Sequence, residues 1–179
     1  MYIKSANLSD SSTLSHIGIK TWQETFTGIG HYTSDLVSDY TETAFSGEKI
    51  DAELRDRNSW FYLLSDKENG EPAGYMKLKL GGEPECVKGE RIVGLERLYF
   101  LKRWQGQGLG RQAFKFALRQ AEGWGYPKIW LSVWEHNQPA RGFYEKMGCQ
   151  KCGSWDWAFM SQGRRIVDLD YIMICHTGL

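Results

Sequence analysis

One stretch constrains this chain more than any other: Leu95-Glu-Arg-Leu-Tyr-Phe-Leu-Lys-Arg-Trp-Gln-Gly-Gln-Gly-Leu-Gly-Arg111. Its first half belongs to an apolar strand, Ile92 to Leu101, interrupted only by Glu96 and Arg97. Glycines follow at 106, 108 and 110. Ala113, Phe114, Ala117, Leu118 and Ala121 then recur at helical spacing up to Gly123. A strand, a glycine turn and a helix in immediate succession aim backbone N–H groups and the positive end of a helix dipole at one point, which suits a pyrophosphate. Two common phosphate loops are excluded. No Gly-Lys-Ser/Thr follows, as a Walker loop needs, and Arg111 stands where the third glycine of the dinucleotide fingerprint would fall. A glycine-rich turn alone remains weak evidence.

The rest of the chain reads as a sheet with helices. Tyr2 to Lys4 alternates like a short strand. Asn7 and Ser9 offer caps for a helix through Leu14, Ile17, Ile19 and Trp22 toward Phe26, and Gly28 and Gly30 break it. Ser34 to Phe45 is a second helix, acidic on one side. Trp60–Leu64 and Ala73–Leu80 form a hairpin around Asp66–Gly70, and residues 81–90 are a loop. Lys128 to Trp134 is a strand. Gln138 to Met147 is a helix that admits Pro139 in its first turn and is closed by Gly148. Lys151–Met160 and Arg164–Ile174 are two last strands around Ser161-Gln162-Gly163. The expected order is strand, two helices, three strands, helix, strand, helix, two strands, which is a mixed α/β sheet with helices on its faces. With 179 residues and no repeat or linker, one domain over 1–179 is expected. A chain of this size buries enough surface to fold without a metal or a disulfide.

Charge balances at 22 bases against 22 acids, so a uniform nucleic-acid-binding surface is not expected. The distribution is uneven: residues 1–66 hold ten acids and five bases, residues 101–151 nine bases and three acids. One half suits a cation and the other an anion, although solvated helix faces produce the same asymmetry. The 8 Trp, 9 Tyr and 8 Phe serve either a ring-rich core or a site for an apolar or flat ligand. The first ten residues lack a signal peptide's basic start and apolar run. No stretch approaches the ~18 apolar residues of a membrane span. A cytoplasmic protein without a membrane partner is therefore expected. Cys149-x-x-Cys152 has metal-ligand spacing but no second pair to complete it, and His16, His31, His136 and His176 are scattered. Four ordinary intracellular thiols and no metal are expected.

Gln105-x-x-Gly108-x-Gly110 matches the Gln/Arg-x-x-Gly-x-Gly/Ala signature of the GNAT N-acetyltransferases, which transfer acetyl from acetyl-CoA to amines. Leu98-Tyr-Phe100 resembles that family's fourth strand. Trp134-Glu-His-Asn137 followed by Tyr144-x-x-x-Gly148 resembles its second conserved block. The element order fits the family fold across the whole chain: a seven-stranded, mostly antiparallel sheet, strands four and five splayed, helices on both faces. Within the family, the acidic first helices and Leu-Glu-Arg-Leu-Tyr resemble the PaiA-type polyamine acetyltransferases.

The resemblance implies roles. Backbone groups of Leu98, Tyr99 and Phe100 would pair with the pantetheine amides, like an added strand. Amides of Gln105, Gly106, Gln107, Gly108, Leu109 and Gly110 would hold the pyrophosphate, with Arg111 adding charge. Asn137 would meet the pantetheine arm, cap its own helix, or do both. Lys146 would approach the nucleotide phosphate, though a plain surface lysine is the simpler reading. Glu96 would accept the amine's proton, unless it only pairs with Arg97 or Arg91. Tyr144 would protonate the departing thiolate, unless it is a packing ring. A backbone N–H near Leu98 or Tyr99 would meet the developing oxyanion. The acceptor side would hold Trp22, Glu24, Tyr32 and Asp35, with Phe26, Asp39, Tyr40 and Glu42, suiting spermidine or spermine. The rivals are a protein N-terminal or lysine amine, and a non-catalytic acyl-CoA sensor, which could dispense with Glu96 and Tyr144. A homo-oligomer is compatible with the sequence.

Overall fold

The computed structural model describes residues 1–161 and 163–178. Seven strands pair in the order β1-β2-β3-β4-β5-β7-β6. They are β1 (Tyr2–Ser5), β2 (Ser59–Ser65), β3 (Pro72–Lys79), β4 (Ile92–Phe100), β5 (Lys128–Trp134), β6 (Gln150–Ser161) and β7 (Arg164–His176). Every neighbouring pair is antiparallel except β4–β5. That parallel pair needs a crossover, which α4 (Leu109–Gly123) supplies. The other helices are α1 (Ser11–Phe26), α2 (Ser34–Ala44), α3 (Gly47–Arg55) and α5 (Gln138–Lys146).

The apolar periodicity of α4 buries Ala113, Phe114, Ala117, Leu118 and Ala121 against Met76, Leu78, Val93, Leu95, Ile129 and Leu131. Phe143, Tyr144 and Met147 of α5 join that face. On the opposite face Leu14, Ile17, Val37 and Ile50 from the first three helices pack on Phe61, Tyr75 and Trp134. Helices therefore cover both faces, as expected.

Three expectations need correction. The chain has three helices before β2, not two: α3 is short and charged, with only Ile50 and Leu54 packed on the core, and the Ser46 side chain accepting from the Lys49 amide starts it. The helix stop is Gly125, at φ +80°, with Gly123 still helical. The four cysteines are not all free thiols. Cys86, in the loop before β4, is joined to Cys152 of β6, while Cys149 and Cys175 are free and buried. The middle of the last hairpin turn, Gln162, lies outside the described residues.

Gly74 holds the β3–β4 pairing at its open end. A Cβ there would fall on the carbonyl oxygen of Tyr99, in a strand that cannot move without losing its partner. Gly74→Ala is expected to cost roughly 1–3 kcal/mol, the usual scale of overpacking, read as a lower urea midpoint at unchanged slope.

Candidate active site

The parallel pair parts early. β4 and β5 are in register only at Ile92–Lys128, Val93–Ile129 and Gly94–Trp130. Beyond Gly94 the two strands diverge, and one edge of β4 is left unpaired in the middle of the sheet. On its other edge β4 carries a bulge. Lys77 pairs with Arg97 and Leu78 with Leu95, so Glu96 is the extra residue. Trp130 packs against Gly94 at the fork.

The backbone phase on β4 decides which groups face the gap. The Leu101 amide donates to Ala73 O, so residue pairs alternate from there: Tyr99–Tyr75 is hydrogen-bonded, while Phe100–Gly74 and Leu98–Met76 are not. Leu98 and Phe100 therefore turn their N–H and C=O groups into the gap. Tyr99 spends its own on β3. Of the three residues expected to present backbone groups, two do. The Phe100 carbonyl already accepts from Gln105 Nε2 at 2.9 Å.

The loop opens directly beside this edge. Gly106 and Gly108 have φ of +74° and +78°, and Gly108 is the N-cap of α4. The first i→i−4 bond of the helix runs from Gln112 N to Gly108 O, so the amides of Leu109, Gly110 and Arg111 precede it and stay free for a ligand. Gln107 Nε2 bonds Arg103 O at 2.8 Å and shapes the turn. A Cβ on Gly110 would meet only the Phe143 ring of α5, at 3.7 Å, an ordinary contact. Arg111 and Lys146 are exposed. Asn137 is a helix cap: its side chain accepts from the Ala140 amide at 3.2 Å. Tyr144 lies half-buried against Phe114 and Phe143, at centroid distances of 5.6 and 5.1 Å. Burial pushes its hydroxyl pKa up, and nearby Cys149 and Tyr99 add to the effect, so the phenol keeps its proton at neutral pH.

The opposite side of the gap is acidic and aromatic. Glu96 pairs with Lys77 at 2.6 Å, not with Arg97 or Arg91, and keeps 36% of its side chain exposed. Arg97 takes Glu53 in a two-pronged bond at 2.8 and 3.0 Å, and Lys77 reaches Glu53 at 3.0 Å. Burial opposes ionisation of Glu53, but Arg97 and Lys77 outweigh it and hold its pKa below the ordinary value. Burial and the neighbouring Arg97 pull Lys77 down in turn. Four charges thus cancel beside β4.

Across the gap, Asp168 and Asp170 of β7 stand two residues apart on one strand face. Asp168 accepts from the Tyr32 hydroxyl and lies 3.5 Å from His31 Nε2. Asp170 accepts from the Ser132 hydroxyl; burial, with Asp168 nearby, pushes its pKa up to about 6.

Rings pack together on this face. Trp22 lies 4.2 Å from both Phe26 and Tyr40, Tyr40 lies 5.4 Å from Trp157 and 4.8 Å from Phe159, and Tyr32 lies 5.4 Å from Trp134. Trp22 and Tyr32 are buried in this ring cluster. Glu24 and Asp35 are not. Glu24 accepts from the Lys102 amide at 2.8 Å and ties α1 to the glycine loop, and Asp35 is exposed in the first turn of α2. The acids beside these rings are Glu53, Asp168 and Asp170, which the sequence reading missed. Asp168-Leu-Asp170, alternating acids inside an apolar strand, was the available signal for two of them. Among the described residues no group of three or more His, Cys, Asp and Glu could hold a metal ion, and no helix is long and apolar enough to cross a membrane.

A strand, a glycine turn and the free amides that open α4 stand on one side of the parted sheet, and rings with carboxylates beside them stand on the other. Residues 22–149 match the acetyltransferase (GNAT) family model. The chain is 32% identical over 148 residues to an uncharacterized N-acetyltransferase of Lactobacillus delbrueckii subsp. lactis, covering 82% of this chain and 83% of that one. It is also 35% identical over 66 residues to the spermine/spermidine N(1)-acetyltransferase of Bacillus subtilis, covering 36% of this chain and 43% of that one. Its fold superposes on the PaiA N-acetyltransferase of Thermoplasma acidophilum, solved with coenzyme A, with TM-score 0.72 at 20% identity over 98% of this chain and 99% of that one. The chain belongs to the GNAT family and is an acetyl-CoA-dependent N-acetyltransferase.

Proposed function

We propose that this enzyme acetylates a small polycationic amine such as spermidine or spermine, which attacks acetyl-CoA directly in a ternary complex. The observation that carries this reading is the cluster of rings with carboxylates on both sides of the parted strands. Rings cover methylene segments and contribute about 0.5–2 kcal/mol per cation–π contact, and carboxylates draw cations in. The similarity to the Bacillus subtilis spermine/spermidine enzyme supports the same acceptor class.

Acetyl-CoA supplies an acetyl group activated as a thioester. The residues of this chain do the rest. The free amides that open α4 and the turn around Gly106 and Gly108 suit the pyrophosphate, with Arg111 adding charge. The gap-facing groups of Leu98 and Phe100 suit the amides of the pantetheine arm, and the Leu98 N–H would stabilise negative charge on the acyl oxygen. A primary ammonium with a reference pKa near 10.4 must lose a proton before it attacks. Glu96, exposed at the bulge, accepts that proton directly or through water. Tyr144, protonated at neutral pH, returns one to the departing sulfur.

The deciding experiment is thiol release from acetyl-CoA across polyamines, simple monoamines, amino acids, and lysine and N-terminal peptides. Spermidine or spermine is expected to have the highest kcat/KM. The advantage should shrink as salt rises, because exposed charges are screened beyond about 10 Å at 0.1 M. An uncharged amine or a peptide as the best acceptor would overturn the polyamine reading.

A further inference from the structure

We infer that Cys86 and Cys152 form a reversible thiol–disulfide site, closed by small disulfides of the glutathione class and opened by their reduced forms, and that the bond locks together the two ends of the acetyl-CoA-binding segment. The site works in the same way whichever amine the enzyme acetylates.

Three observations support it. First, both sides of the bond are shaped to meet. Cys86 sits in the single turn Glu85–Val87 ahead of β4. Cys152 is the extra residue of a bulge in β6, where Lys151 pairs with Met173 and Gly153 with Ile172. A Cβ on Gly153 would come within 3.2 Å of the Cys86 Cβ and 3.1 Å of its Sγ, so the bare glycine keeps the approach open. Val87, 1% exposed, anchors the turn in a small core with Ile92, Trp130 and Ile172, and Cys152 packs against that same core. Apolar packing therefore holds the turn in place without the bond, and two free sulfurs stay within reach of each other.

Second, the four cysteines divide by access. Cys86 is exposed and Cys152 half-buried, whereas Cys149 and Cys175 are buried. The contact with Cys175, and burial behind it, push the Cys149 thiol pKa up, so it keeps its proton and is a poor nucleophile. A small disulfide in solution meets Cys86 first. The Cys86 thiolate attacks one of its sulfurs and expels one small thiolate, leaving a mixed disulfide. Cys152 then attacks Cys86 Sγ and expels the second. The two protons lost by the cysteines end on the two departing thiols, and two electrons pass to the small disulfide. Exposed disulfides are the labile ones, so an excess of the reduced thiol runs the same steps backwards.

Third, the bond encloses one functional unit. Cys86 and Cys152 are 66 residues apart, and β4, the glycine loop, α4, β5 and α5 all lie between them. Every residue given above a role toward acetyl-CoA falls in that stretch. Closing a loop of this length removes much of the freedom of the unfolded chain, so the oxidised enzyme holds this unit together more firmly than the reduced one.

The test equilibrates the full-length enzyme in buffers of oxidised and reduced glutathione, traps free thiols with N-ethylmaleimide after an acid quench and unfolding, and counts them by intact mass. Oxidising buffer should leave two free thiols and reducing buffer four, with the same end points reached from either direction. Peptide mapping should place the bond at Cys86–Cys152. The oxidised enzyme should melt about 10 °C above the reduced one, and Cys86→Ser should melt alike in both buffers. Four free thiols in oxidising buffer, a stable glutathione adduct on Cys86, or a bond mapped to Cys149–Cys175 would overturn the pairing. A bond that excess reduced glutathione leaves intact in the native enzyme would overturn its reversibility. Equal melting temperatures of the two wild-type forms would overturn the locking role.

Discussion

Tyr144→Phe should leave folding and CoA affinity as they are and lower turnover by roughly 10²- to 10⁴-fold, the scale of lost general acid catalysis. The substitution removes one oxygen from a ring that packs on Phe114 and Phe143, so the packing of α5 on α4 survives. Only the proton donor is lost. Burial of the hydroxyl raises its pKa, so the wild-type phenol is fully protonated through neutral pH and can donate. Without it the thiolate must leave unprotonated or wait for water. Single-turnover thiol release at saturating amine, where chemistry limits the rate, is the measurement. A thermal melt of the same variant controls for folding. Unchanged single-turnover rates would reduce Tyr144 to a packing ring, and the leaving group would then need no side chain.

Much of the fold was legible because its elements carry strong local patterns. The five buried apolar positions of α4, the alternation of β3 and the Pro139 start of α5 each point to one element type. Helix α3 was missed because it is only nine residues long and a single apolar pair, Ile50 and Leu54, marks its buried side. The Cys86–Cys152 pairing was illegible for another reason: sheet topology brings β6 beside the loop that precedes β4, and no spacing rule encodes that across 66 residues.

The candidate site divides the same way. The glycine loop is local in sequence and was readable from it. The gap in the sheet came from family resemblance, since nothing in Ile92–Phe100 alone says where its partner departs. The acids of the acceptor side were read from the charge balance along the chain. Charge counting drew attention to the first two helices, where Glu24 bonds a loop amide and Asp35 faces solvent. The acids beside the rings sit on α3 and β7, where tertiary pairing alone brings them together.

The other large effect is expected at the glycine loop. Gly108 has φ +78° and caps α4, and a Cβ placed there meets nothing within 4 Å. A side chain would therefore cost nothing in packing. It would cost backbone strain of order 1–3 kcal/mol, which a β-branched residue relieves by rotating the peptide units on either side. Those units aim the loop amides, so the relieved loop no longer converges on a pyrophosphate. Hydrogen bonds to charged groups contribute about 1.5–3 kcal/mol each, so losing two of them weakens CoA binding by roughly 10²- to 10⁴-fold. Calorimetric titration of Gly108→Val with CoA should show that loss while the β-sheet circular dichroism is kept. Gly110→Ala is the matched control. There a Cβ meets only the Phe143 ring at 3.7 Å, an ordinary contact, and no left-handed backbone is required, so CoA affinity should stay within a few fold of wild type. If Gly108→Val bound CoA as tightly as Gly110→Ala, the aimed amides would have no part in binding, and the affinity would have to come from the exposed cations Arg111 and Lys146 instead.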